Sequence, residues 1–290
     1  MTPQLVDRPE RVQLDALESE RAFAELAGWR LLAVGGADAR SWLHDLVTAN
    51  VSSLEPGTAR RSLVLSPTGR IRADFHVTMR QESFLLLQAP DQPDAAGSIL
   101  APYVLSSDVE LVDASETLAA FAVLGGNAAE DGDSVWTPSP LGVGAGVVVA
   151  AGEPARRLRA ALVADLTEAL PVAVEAWRVH RGIPRMGADF GTDSLPAEAG
   201  LEGTIDFTKG CFLGQESVAK VRNLGHPPRA ILPVRSGSPL EVGMPVRTGD
   251  AAVGEVTSVA ADEATLGIVR VRWDAAGGAL DTAVGPLALR

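Results

Sequence analysis

The phrase Ala33-Val-Gly-Gly-Ala-Asp-Ala39 recurs as Ala122-Val-Leu-Gly-Gly-Asn-Ala-Ala129, with the glycine pairs 90 positions apart. In each copy an apolar run stops at Gly-Gly and small residues follow, the pattern of a strand, a tight turn and a helix start. A chain that writes this twice in 290 residues argues for two related α/β units rather than one enlarged core. In the first copy Ala39, Leu43 and Leu46 have helical spacing, and Asp38 is the expected N-cap. The second turn lacks the three-glycine fingerprint of a dinucleotide site.

Between the copies lies a β meander. Ser62 to Ser66 reads as a strand, Ser66-Pro-Thr-Gly69 as a turn, and Arg70 to Met79 alternates. Ile71, Ala73, Phe75 and Val77 share one face; Arg72, Asp74, His76 and Thr78 share the other. Phe84 to Gln88 returns as the next strand. The first twenty residues read as an extended lead-in. Ala155 to Leu170 has helical composition with Pro171 as its stop; Val172 to Val179 is β-rich, with Glu175 to Val179 also compatible with helix. Arg181 to Gly203 is a loop. From Ala230 onward short strands between Gly, Pro and Asp turns predict a small β-barrel, with a boundary at Pro227-Pro228. The expected division is 1–115, 116–228 and 229–290, with segments exchanged between the first two units.

Charge excludes some functions. The net charge of −12 disfavours a general nucleic-acid binder, which needs basic surface to displace counterions. A local balance of +1 between Arg178 and Arg229 contrasts with −13 for the remainder. Met1 to Glu20 lacks the pattern of a secretory signal, and the longest apolar stretch, Leu141 to Gly152, is too short for the ~20 residues of a membrane span. A lone cysteine forms no internal disulfide and suits a reducing cytosol. His44-Asp45, Asp74-x-His76 and His180 have no metal-ligand spacing, and neither a phosphate loop nor a nucleophilic serine elbow occurs. The five tryptophans read as core, with one available to stack on an aromatic ligand.

The chemistry concentrates around that cysteine, between the only two lysines, Lys209 and Lys220. In Thr208-Lys-Gly-Cys-Phe-Leu-Gly-Gln-Glu216, Gly210 and Gly214 frame Cys211 with backbone free to bend. Glu216 to Leu224 reads as a helix, with Glu216 and Lys220 in the favourable i,i+4 order and Gly225 at C′. An ammonium two residues upstream and a helix N-terminus just downstream both favour a thiolate. A buried, inert thiol is the competing reading, and the residues alone leave the two open.

Lys209-Gly-Cys-Phe-Leu-Gly-Gln-Glu216 resembles the signature of the YgfZ-type folate-binding proteins, in the glycine cleavage T-protein superfamily. The resemblance runs in family order from Leu31 to Arg272. It takes in Leu32-Ala-Val-Gly-Gly-Ala-Asp-Ala-Arg-Ser-Trp-Leu43, Leu46-Val-Thr-Ala-Asn-Val51 and Leu65-Ser-Pro-Thr-Gly-Arg-Ile71. Further along come Trp177-Arg-Val-His-Arg-Gly-Ile-Pro184, Leu195-Pro-Ala-Glu198 and Gly254-Glu-Val-Thr-Ser258. It implies an α+β fold: two related α/β units and a C-terminal small β-barrel arranged as a three-domain ring, with tetrahydrofolate or a one-carbon-substituted folate in the central opening. It also implies a cytoplasmic accessory role in iron–sulfur cluster assembly or repair. The partners would then be iron–sulfur assembly proteins or client enzymes such as tRNA-modifying methylthiotransferases, without direct nucleic-acid or membrane contact. By the same resemblance Cys211 is the functional residue, and Lys209, Gly210, Gly214, Gln215 and Glu216 form the loop that presents it. Asp74 and Arg178 take folate-facing positions, Arg178 either for the glutamate tail or as an inward structural arginine.

The rival within the superfamily is an aminomethyltransferase or demethylase with Asp74 as proton acceptor. T-proteins commonly carry Asp where Cys211 stands and two aspartates where this chain has Ala73-Asp74. Their pterin-binding glutamate is replaced by Gly144-Ala-Gly-Val-Val-Val149, and His180 stands where Glu is common. Neighbouring strand residues face opposite ways, so retaining the wrong aspartate would put its carboxylate on the wrong side. Asp74 is read either as a solvated, salt-bridged strand residue or as a ligand-facing acid. A folate-independent interaction module is a third expectation.

Overall fold

The computed structural model describes residues 9–80, 82–125, 134–136 and 145–290. The expected lead-in is instead a helix, α1 (Pro9–Glu18), followed by strand β1 (Ala22–Glu25). Leu14 and Leu17, three apart on one face, are buried, and this short stripe holds the helix against the core.

The first unit comprises β2 (Arg30–Gly35), α2 (Ala39–Leu46), β3 (Ala59–Leu65), β4 (Ile71–Arg80), β5 (Ser83–Gln88), the single-turn α3 (Ala96–Leu100) and β6 (Glu110–Asp113). Its sheet has the order β3-β4-β5-β2-β6. Ala73, Phe75 and Val77 pack with Trp42 and Leu43 of α2 on the outer face. The face with Asp74, His76 and Thr78 is turned inward, and Asp74 and Thr78 are buried rather than solvated. Asp38 precedes α2 without capping it; its Oδ2 accepts from Asp108 N at 2.8 Å.

The second unit holds β7 (Leu118–Leu124), β8 (Ser134–Trp136), β9 (Ala145–Ala151), α4 (Gly152–Asp165) and β10 (Thr167–Glu168). Its sheet runs β10-β1-β7-β9-β8, so β1 crosses from the N-terminus into the second sheet. The helix start expected after Gly125-Gly126 lies outside the described residues. α4 ends before the predicted Leu170, because Thr167–Glu168 pairs in parallel with Ala22–Phe23. Pro171 does not stop a helix but starts one, α5 (Pro171–His180), standing in its first turn. There its fixed φ suits the helix and its missing N–H would have had no partner. This resolves the ambiguous Val172–Val179 as helix.

The two sheets share one core. Leu31, Leu85 and Leu87 of the first meet Ala122, Leu124, Val147 and Val149 of the second, with Leu14 and Leu17 of α1 and Ala173 and Trp177 of α5. α2 covers the outer face of the first sheet and α4 that of the second. A long connection with two 3₁₀ turns (Pro196–Ala199 and Glu202–Thr204) leads to α6 (Gln215–Leu224). The C-terminal strands β11 (Arg229–Ser236), β12 (Pro245–Thr248), β13 (Ala251–Val259), β14 (Leu266–Arg272), β15 (Leu280–Thr282) and β16 (Gly285–Leu289) close into a barrel, with β16 returning to β11. Val179 of α5 packs on Leu266 and Ile268 of the barrel. The architecture is α+β with a closed six-stranded barrel. No helix of the described residues is long and apolar enough to cross a membrane.

Leu17→Ala tests whether α1 belongs to the shared core. A fully buried leucine truncated there costs about 2–5 kcal/mol, read as a lowered urea midpoint, whereas an extended lead-in would leave the midpoint unchanged.

Candidate functional site

The segment before Cys211 is built on a carboxylate. Asp206 Oδ1 accepts from Thr208 N (2.8 Å), Thr208 Oγ1 (2.6 Å) and Lys209 N (3.2 Å), and Asp206 N donates to Thr48 O at 3.0 Å. The Thr208 hydroxyl and N–H hold the Asp206 carboxyl down to about 2. The chain then turns Lys209 inward. Its Nζ donates to Val47 O (2.5 Å), Ala49 O (3.1 Å) and His44 O. A cation thus sits on carbonyls at and just beyond the C-terminal end of α2, where the helix dipole favours positive charge. Burial pushes the Lys209 ammonium down to about 8. The sequence placed this lysine as an activator of the thiol; in the fold its ammonium is enclosed by carbonyls of the first unit.

Downstream of Cys211 the loop is fixed a second time. Phe212 is buried with Leu65, Ile71 and Val218. Gly214, at φ +80°, is the N-cap of α6, and a Cβ there would stand 3.0 Å from Leu65 Cβ. Gly69, at φ +76°, approaches in return, and its Cβ would meet Ser217 Cβ at 2.8 Å. Neither position accommodates a side chain without displacing the other segment. Ser217 Oγ donates to Pro67 O at 3.2 Å, completing the contact between the hairpin turn and α6. Gly210 and Cys211 are exposed between these two anchors, so the buried-thiol reading is set aside. Gln215 opens α6 half-buried, and Glu216 points to solvent in an ion pair with Lys220 at 2.7 Å.

Asp74 faces inward, on the side away from α2, while Ala73 occupies the α2 side. Its carboxylate is clamped by Arg61 of β3, Nε to Oδ1 at 2.9 Å and Nη2 to Oδ2 at 2.6 Å. Its backbone is bracketed by Gln92, which accepts from Asp74 N at 3.0 Å and donates to Asp74 O at 2.5 Å. Arg72, expected beside it, pairs with Asp94 instead. His76 lies opposite Arg61, and burial followed by the Arg61 charge pushes it down to about 4.

Arg178 stands apart, at the joint of α5 and the barrel. It donates from Nη1 to Asp189 Oδ2 (2.7 Å) and Ile183 O (2.9 Å), from Nε to Glu175 (2.8 Å) and from Nη2 to Ser258 Oγ (2.6 Å). Asp189 in turn accepts from Thr257 and Ser258 of β13. With every guanidinium nitrogen engaged, Arg178 takes the inward structural role. His180 bonds Asp262 at 3.0 Å, a further link from α5 to the barrel.

A cleft of about 470 Å³ opens between the first unit and the segment leading to Cys211; Asn50, Ser53, Arg60, Arg61, Thr204 and Asp206 are among the residues lining it. It therefore touches both the Arg61–Asp74 pair and the base of the cysteine loop. Sequence reasoning missed Arg61, Gln92, Asp189 and Asp206. Alternation along β3 was the available signal for Arg61, but it needed the cross-strand register. Among the described residues no group of three His, Cys, Asp or Glu side chains is placed to hold a metal ion.

Residues 14–131 match the GCVT N-terminal domain family. The tRNA-modifying protein YgfZ of Colwellia psychrerythraea is 25% identical over 75% of this chain and 72% of its own length, and that of Enterobacter sp. is 26% identical over 77% and 74%. A putative chloroplastic transferase of Arabidopsis thaliana is 24% identical over 84% of this chain, which spans 63% of that relative. The crystal structure of glycine cleavage system aminomethyltransferase T from Bartonella henselae superposes with a TM-score of 0.79 at 17% identity, covering 96% of this chain and 87% of that one. The domain match, the YgfZ relatives and the T-protein-like fold together support a YgfZ-type protein of the glycine cleavage T-protein superfamily. Within the stretch 144–149 the described residues lie in β9, with Val147 and Val149 buried in the shared core. Arg60, Asn50 and Asp206 give the cleft a polar side, and Ala59 and Ile205 supply apolar wall.

Two measurements check this geometry. Lys209→Met leaves the carbonyls beyond α2 without their donor. The expected cost is about 1–3 kcal/mol in urea unfolding, with faster alkylation of Cys211 as the loop loosens. His76, neutral in the fold and titrating near 6.5 when unfolded, makes the unfolded state bind more protons between those values. Stability therefore falls as pH drops from about 6.5 to 4, by roughly 3 kcal/mol, and His76→Gln flattens that acid limb.

Proposed function

We propose that this protein is a folate-binding accessory factor rather than a one-carbon transferase. Tetrahydrofolate or a one-carbon-substituted folate would occupy the cleft, and Cys211 would act as the functional thiol in iron–sulfur cluster assembly or repair. The clients would be cytoplasmic iron–sulfur enzymes such as tRNA-modifying methylthiotransferases, a reading supported by the relatives named as tRNA-modifying proteins. The observation that carries the proposal is an exposed thiol on a loop anchored at both ends to the first unit, by Lys209 on one side and Gly214 on the other. Such a loop holds a reactive group at a fixed place beside the cleft. One thiol does not complete the ligand set of a cluster, so Cys211 would act together with a partner.

Within the cleft Arg60 would hold the glutamate carboxylates, since Arg61 is committed to Asp74. Folate supplies a carrier for one-carbon units when bound. Transfer chemistry would ask Asp74 to accept a proton, but both of its oxygens are engaged by Arg61, which stabilises the ionised acid and opposes protonation. What favours the transferase reading is the inward orientation of Asp74; product formation from a methylamine donor with tetrahydrofolate, abolished by Asp74→Asn, would promote it.

The test is anaerobic calorimetry with tetrahydrofolate. The wild type and Cys211→Ala should bind alike, at about micromolar affinity, while Arg60→Met binds about tenfold more weakly. In a strain lacking its own homologue, wild type should restore methylthiotransferase activity and Cys211→Ala should not. Full rescue by Cys211→Ala would defeat the thiol role. Absence of folate binding by folded protein would leave the folate-independent interaction module.

A further inference from the structure

A second cavity, about 330 Å³, lies on the outer face of the first sheet, beneath α3 and the turn after it. It is separate from the cleft beside Cys211. Leu32 and Leu86 line it and share their sheet face with Ala73 and Phe75, opposite to Asp74. Leu111 of β6, Ala96 of α3 and Ala101 continue the apolar wall.

Two charges of opposite sign stand at this cavity, Arg30 of β2 and Asp113 of β6. Leu32 is the cross-strand partner of Asp113, which makes Arg30 its diagonal neighbour on the same face, about 7–8 Å away between Cα atoms. They do not pair with each other. Among the described residues Arg30 makes no ion pair: Nη2 donates to Pro90 O at 3.1 Å, and Nη1 is buried without an acceptor. Asp113 uses one oxygen, Oδ1, for Ser115 N (2.9 Å) and Ser115 Oγ (2.5 Å). Its other oxygen accepts no hydrogen bond among the described residues. Ser115 Oγ also receives Leu31 N at 3.0 Å, so the acid is held in place from both strands. Of the uncharged polar side chains there, Gln88 and Ser98, Gln88 is satisfied by Gln92, Asp94 and Ala96 and has no need of a ligand.

The Arg30 guanidinium, standing at the cavity without an ion pair among the described residues, is a partner for a carboxylate. A simple carboxylate, however, would also meet the Asp113 charge. A molecule bearing both a carboxylate and an ammonium satisfies both groups, and the leucine and alanine wall requires the rest of it to be apolar. We propose that this cavity binds a zwitterionic α-amino acid with an apolar side chain, its carboxylate on Arg30, its ammonium on Asp113 and its side chain among Leu32, Leu86 and Leu111. The site shares no lining residue with the cleft that Arg60 and Asp206 line.

Calorimetric titration of the full chain with L-leucine and L-phenylalanine tests this, with 4-methylpentanoate and isoamylamine as probes carrying one charge each. Saturable binding of an amino acid is expected, with each singly charged probe about tenfold weaker or more. Arg30→Gln and Asp113→Asn should each lower affinity by a similar factor, while melting curves confirm that both variants fold. Three outcomes would overturn the proposal: no saturable heat for either amino acid up to about 10 mM; binding unchanged in both variants; or 4-methylpentanoate binding as tightly as leucine with Asp113→Asn neutral, which would mark a plain carboxylate site.

Discussion

The guanidinium of Arg178 is held by acceptors from three segments: Glu175 on its own helix, Ile183 and Asp189 on the connection that follows, and Ser258 on barrel strand β13. Arg178 and Asp189 are almost entirely buried. Taking two such charges out of water is tolerable only when every lone pair and N–H finds a partner. The helix, the connection and the barrel must therefore arrive together, and an incomplete joint would leave a naked charge inside. Val179, next on the helix, adds the apolar contact with Leu266 and Ile268 that seals it. Because α5 also carries Trp177 into the core shared by both sheets, this one helix fixes the barrel relative to both units.

The cysteine loop inherits its geometry from that arrangement. Between α5 and α6 the chain passes from the barrel joint to the edge of the first sheet, where Arg61 reaches back to Pro184 O at 3.4 Å. There the loop is attached by two unlike devices. One is a buried ammonium on main-chain carbonyls; the other is a pair of glycines whose missing side chains let the hairpin turn and α6 close on each other. Two anchors on one rigid body leave little freedom for the tip between them, the condition for presenting a reactive side chain reproducibly. A T-protein-like fold thus carries an exposed thiol on an anchored loop, while the Asp74 carboxylate is engaged by Arg61.

Much of this was legible in the residues. The hairpin around Ser66–Gly69, the strands at Ile71 and Phe84, the helix after Gly214 and the barrel after Pro228 all follow from period-2 alternation, turn chemistry and helix-terminal glycine. Where the reading went astray, the deciding partner was distant in sequence. α1 passed for a lead-in because its apolar stripe is only Leu14 and Leu17 deep. α4 was drawn too long because the Thr167–Glu168 strand exists only through pairing with β1. The partner of Asp74 was sought at i±2 on its own strand, but Arg61 comes from β3, whose register against β4 shifts at a bulge between Val64 and Leu65.

By itself the sequence determined most of the kinds of element and the resemblance to the YgfZ-type proteins, because hydrophobic period, turn residues and the Lys209–Glu216 phrase are local properties that need no partner. It also determined that a single thiol would stand in a glycine frame. Only the tertiary structure decided what each charged group does. Lys209 became an anchor instead of an activator, Arg178 a joint, and Asp74 half of an ion pair. The physical reason is that a buried charge takes its role from whatever satisfies it, and for all three the decisive partners include groups brought close only by folding.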